Sequence, residues 1–145
     1  MKQIFILVLI FIFFLLPIHI FASEEVHLGE HTDSDGIKSK YAVAESVVVK
    51  TPEWTGTTDN PPLQISKAVS IAKEWVKKKN PKLDDFQVSK LSIQRIGCSS
   101  IKNRWYYEID FQGILDGRTL FGPDFMAKIL MNGTIIEPII TRPSR

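Results

Sequence analysis

Arg104–Gln112 (RWYYEIDFQ) has the cleanest alternation in the chain. Successive side chains of an extended strand point to opposite faces. Trp105, Tyr107, Ile109 and Phe111 therefore fall on one side, and Tyr106, Glu108, Asp110 and Gln112 on the other. One apolar and one polar face is the signature of an antiparallel sheet with a single core side. That side needs a cover, and the cover lies upstream. Ala68, Ile71, Ala72 and Trp75 repeat at helical spacing, with Val69 and Val76 widening the stripe. Ser66 is suited to cap this helix. Lys77, Lys78 and Lys79 suit its negative end, and Pro81 forbids continuation.

Downstream of the helix the apolar period shortens to two. Phe86–Ile96 reads as a strand whose phase slips between Val88 and Leu91, which predicts a bulge near Lys90. Gly97–Asn103 and Gly113–Gly117 read as turns. Arg118–Met131 reads as a long strand bent at Gly122-Pro123, because proline cannot donate to a central ladder. Asn132-Gly133 signals a two-residue hairpin, after which Thr134–Ile140 closes the sheet. The expected fold is α+β, with one helix packed on a four-stranded antiparallel meander sheet over residues 63–141. Residues 142–145 form a tail.

The 145 residues are 44% hydrophobic, and residues 1–22 are far richer than the rest. Met1-Lys2-Gln3, an apolar run from Ile4 to Leu16 and the end Ile20-Phe21-Ala22 follow the order of a secretory signal peptide. Cleavage near Ala22 leaves a secreted or periplasmic domain. The alternative is an uncleaved N-terminal membrane anchor, since Ile4–Phe21 approaches the length that crosses a bilayer. Residues 23–62 are polar and read as a flexible segment, with a possible strand at 41–49. Without Lys2 the remaining chain holds 17 basic and 16 acidic residues, which argues against a broad nucleic-acid surface. About 120 residues support one modest core and exclude large cofactor-binding architectures. Cys98 is the only cysteine, so the exported domain has no internal disulfide.

Ala68-x-x-Ile71-Ala72, then Trp105-Tyr106-Tyr107-Glu108-Ile109, then Gly133-Thr134-Ile135-Ile136, resembles the layout of PepSY-type domains. These are small exported α+β modules found in protease propeptides and as free-standing proteins. The likeness spans Ile65 to Pro138. It departs where Asn132-Gly133-Thr134 replaces the usual turn before the last strand. A cystatin-like helix-on-sheet fold fits the same residues. Either resemblance implies a binding or inhibitory module and brings no catalytic residues.

The residues themselves offer little catalytic chemistry. After cleavage the histidines are His27 and His31, in the polar segment, whereas a catalytic base must be held by a packed scaffold. His27-x-x-x-His31 has metal-ligand spacing on a helix, which Gly29 and Gly36 oppose, so no metal is expected. Asp33-Ser34-Asp35-Gly36 matches only part of a calcium loop. No phosphate-cradling glycine loop precedes the helix, and no cofactor is expected. Glu108 and Asp110 share a strand face as paired carboxylates would, but the plainer reading is the wet side of the sheet. Arg104, Tyr106, Glu108, Asp110 and Arg118 are the candidate partner-binding residues, since Tyr and Arg are enriched at interfaces.

The function expected from the sequence is an exported, non-enzymatic binding module that inhibits or chaperones another exported protein, such as a peptidase. The alternatives are a small-ligand carrier with a pocket between helix and sheet, or a structural envelope protein.

Overall fold

The structure, a computed structural model, describes residues 24–32, 36–57, 60–98, 100–120 and 125–143. Residues 1–22, read as a signal peptide, and the bend expected at Gly122-Pro123 lie outside the described residues. Among the described residues eight strands and two helices follow in order: β1 (Glu25–Thr32), β2 (Lys38–Ala44), α1 (Glu45–Val48), α2 (Ile65–Lys79), β3 (Asp85–Arg95) and β4 (Trp105–Leu115), then β5 (Arg118–Thr119), β6 (Phe125–Leu130), β7 (Ile135–Ile136) and β8 (Ile139–Thr141).

The expected plan of one helix on a four-stranded sheet is overturned. The described residues are 47% strand and 17% helix, in two antiparallel sheets of three and five strands with two helices. The smaller sheet runs β1-β2-β8; the larger runs β3-β4-β6-β7, with β5 paired to β4. Much of the difference comes from residues read as flexible. Val26 and Leu28 in β1, and Tyr41 and Val43 in β2, line one side of a hairpin with Ile96, Tyr106, Leu130 and Ile136. Val26 and Leu28 are too few to show a period among their polar neighbours, and Tyr41 and Val43 fall in the possible strand read at 41–49, yet together they give the hairpin one face to bury.

The larger sheet is covered on both sides. On one side α2 buries Ala68, Ala72 and Val76 among Phe86, Tyr107, Ile109, Phe111 and Ile129. Two alanines bring the helix close to the sheet, where Tyr107 and Phe111 fill the space. The Tyr107 hydroxyl donates to the Leu63 carbonyl at 2.5 Å, fixing the approach to the helix. Ser66 does not cap: Gln64 occupies the cap position without a side-chain bond. At the other end the Val76 carbonyl accepts from both the backbone N–H and the side-chain amide of Asn80, each at 3.0 Å, which fastens the last turn. The three-stranded sheet covers the opposite side.

Two details of register matter below. β3 is bulged between Val88 and Lys90, and β1 between His27 and Gly29. The hairpin after β6 is not a two-residue loop. The Gly133 amide donates to the Leu130 carbonyl at 2.8 Å, so Met131 and Asn132 are the central pair and Gly133, at φ 88°, follows them. This is a three-residue loop with glycine in the left-handed position. Beyond Pro138 the chain leaves the larger sheet, and β8 pairs with β2 instead of closing the meander.

Candidate functional site

The five residues expected to form a partner surface are not one surface. Tyr106, Glu108 and Asp110 do share the face of β4 away from α2, but the three-stranded sheet lies over it. Tyr106 is 7% and Asp110 8% exposed. Arg104 turns aside: its Nη2 donates to the Val49 carbonyl at 3.0 Å and its Nη1 lies 2.9 Å from Glu53. Arg118 stands exposed at the far end of β4, beside the Asp116-Gly117 turn. The wet side expected for Glu108 and Asp110 is thus an interior between two sheets.

A lysine makes that interior tenable. Lys128 stands directly across from Glu108 in the β4–β6 register. Its Nζ donates to Glu108 Oε2 at 2.6 Å and to the Leu28 carbonyl at 2.8 Å, between the rings of Tyr41 and Tyr106 at 5.0 and 5.3 Å. The two side chains are 5% and 17% exposed. A buried charge needs a partner and filled hydrogen-bonding positions, and Lys128 takes both from opposite sheets. Glu108 is thereby engaged in holding Lys128, whose bond to the Leu28 carbonyl ties the two layers.

The tyrosines beside this tie resist ionisation. Burial, then the charges of Asp110 and Glu108, push the Tyr41 hydroxyl up to about 12. Burial, then Glu108, raises Tyr106 as well. An unfolded tyrosine ionises near pH 10, so between about 10 and 12 the unfolded chain releases protons that the folded one keeps. The stabilisation is complete below pH 10 and is lost as pH rises toward the folded value. Urea midpoints measured in steps from pH 9 to 12 should fall, and Tyr41→Phe should flatten the slope. An unchanged slope in that variant would place the alkaline transition elsewhere.

An accessible cleft of about 360 Å³ lies where the smaller sheet overhangs α2. His31 pairs with Ser39, and Ser39 with Ile140, so these three side chains form a row across all three strands. Ser39 is two residues from Tyr41, and the row therefore lies on the sheet's inner face. The larger sheet covers that face at Val26, Leu28 and Tyr41 but stops short of this row. Ile140 stays 51% exposed. Trp75, Val76 and Lys79 of α2, with Asn80 just past its end, form the opposite wall, over a floor of Phe125 and Met126. At its mouth the Trp75 indole donates to Glu137 at 2.8 Å, and Lys79 pairs with the same carboxylate at 3.1 Å. The indole bond first, and the lysine second, hold Glu137 below the usual carboxylate range.

A second groove, about 380 Å³, continues from the cleft and shares Lys79, Asn80 and Phe125 with it. Its apolar wall is Leu83 and Leu120, which pack where Gly113 has no side chain. A Cβ there would stand 2.6 Å from Leu83 Cδ1. The two together offer an apolar trough with a few polar groups, the usual make-up of a binding site.

No family model, curated protein or solved structure matches the chain. The site is described by its own geometry. His31, Ser39, Lys79 and Ile140 are its residues, and none stood out as partner-binding in the sequence. The readable signals were Ile139-Ile140 after a proline and the lysine run ending α2, which fits a solvated helix end equally well. The bulge in β1 puts His27 and His31 on opposite faces, so the spacing that suggested shared metal ligation does not bring them together. Among the described residues no group of three His, Cys, Asp or Glu is placed to hold a metal, and no helix is long and apolar enough to cross a membrane.

Proposed function

We propose that this chain is an exported, non-enzymatic binding module that engages another exported protein through the cleft beside α2. The observation that supports this most is the uncovered inner row His31–Ser39–Ile140. A sheet face buried along half its length and left open over an apolar trough is a surface shaped for something else. Engaging a partner segment there would inhibit or chaperone that partner, as the PepSY-type and cystatin-like resemblances imply. Export is part of the proposal and rests on the signal-peptide pattern of residues 1–22.

A carrier of small ligands is the second reading, favoured by the same trough rather than by a cavity under the helix. The space between α2 and the larger sheet is occupied by buried side chains. The test is capture from the organism's exported fraction with the mature chain, compared with Ile140→Asp. Ile140 is half exposed, so the substitution leaves folding intact while placing a charge in the cleft. Leu115→Asp, at a 38% exposed position elsewhere, is the control. One protein retained by the wild type and the control but lost by Ile140→Asp is expected. Equal retention by all three would remove the cleft from the function.

A further inference from the structure

The walls of the two grooves differ from the rest of the surface in charge. The described residues that line them include Lys79, Lys82 and His31 and no aspartate or glutamate. Lys77 and Lys78 stand exposed on the same helix end. Glu137, the carboxylate at the mouth among the described residues, is paired to Lys79 with both side chains more than half exposed. An exposed pair of this kind is worth at most about 1 kcal/mol, so another carboxylate can take Lys79 over at little cost. The negative end of α2 carries only about half a charge, less than the lysines beside it. Below this basic rim the floor is apolar: Phe125, Met126 and Leu83, with Ile140 above.

On these grounds we infer that the occupant of the trough is an extended acidic–apolar segment of a partner protein, its aspartate or glutamate side chains meeting Lys79 and Lys82 and its apolar side chains lying on Phe125 and Ile140. This rests on the cleft being the binding site and adds the chemistry of what it takes. The apolar contacts hold the segment, and the lysines select its charge. Complementary charge steers encounter and rejects wrong partners more than it adds affinity. A basic segment would meet Lys79 and Lys82, and among the described residues only Glu137 at the mouth could pair with it.

The test uses the mature chain and three labelled short peptides in which leucine alternates with glutamate, glutamine or lysine, read by fluorescence anisotropy. The glutamate peptide should bind at least tenfold more tightly than the lysine peptide, and more weakly as salt is raised. Lys79→Gln with Lys82→Gln should remove most of that preference, and Ile140→Asp should abolish binding. Both lysines are exposed, so the double variant tests charge and not folding. Equal binding of all three peptides, still lost in Ile140→Asp, overturns the charge selection and leaves the cleft as the site. Binding indifferent to Ile140→Asp overturns both. No peptide bound while decanoate binds and is lost in Ile140→Asp overturns the peptide occupant in favour of a small anionic amphiphile. No binding of any probe overturns the inference.

Discussion

Replacing Lys128 with methionine should lower folding stability by about 3–5 kcal/mol, the range for removing one partner of a buried ion pair. The substitution keeps the volume and removes the ammonium that Glu108 and the Leu28 carbonyl share. Lys90 lies 3.9 Å from Glu108 and is well exposed, so it relieves the stranded carboxylate only in part. The larger loss is between layers, because the Leu28 bond is the charged link from β6 to β1. Glu108→Leu added to Lys128→Met should recover much of the loss, since a buried pair exchanged for apolar groups is often neutral. Urea denaturation of the wild type, the single variant and the double variant gives the comparison. A single-variant loss under about 1 kcal/mol, as for an exposed pair, would mean that the two sheets are not joined by this lysine.

Phe111→Ala should cost a similar amount, about 3–5 kcal/mol, for a different reason. Phe111 is fully buried under α2 and meets the Phe86 ring edge-on at 6.4 Å. Truncation loses the transfer free energy of the ring and leaves a cavity that neighbours fill only in part. The loss is a large fraction of the roughly 5–15 kcal/mol that holds a domain together. Val88→Ala makes the contrast. Val88 pairs with Phe111 across β3 and β4 but is 36% exposed, so its change should stay within about 0.5 kcal/mol. Near-equal effects at the two positions would place the helix over a different part of the sheet.

The sequence was legible where a long segment carries its own period. The run from Trp105 to Phe111 and the stripe from Ala68 to Val76 each repeat often enough to mark their buried side without knowledge of any partner. The second sheet was not legible, because its logic is non-local. Glu108 looks like a solvent-facing residue until Lys128 is seen across the strand pair, and Lys128 sits in an otherwise apolar run from Phe125 to Met131. A lysine in such a run is itself a signal, since an unpaired charge is seldom buried. The candidate site was hidden for the same reason. His31, Ser39 and Ile140 become neighbours only through a three-strand register that includes a bulge at β1 and a change of sheet after Pro138.

The tie between Leu28 and Lys128 spans 100 residues of chain. During synthesis from the N-terminus, β1 and β2 emerge well before β6. At roughly 5–20 residues per second the wait is on the order of 10 s. Through that interval Val26, Leu28, Tyr41 and Val43 have no sheet to lie on, and the hairpin offers its inner face and open edges to any passing chain. Such surfaces are what make incomplete chains aggregate. A holdase acting on this protein would meet the hairpin first and release it last.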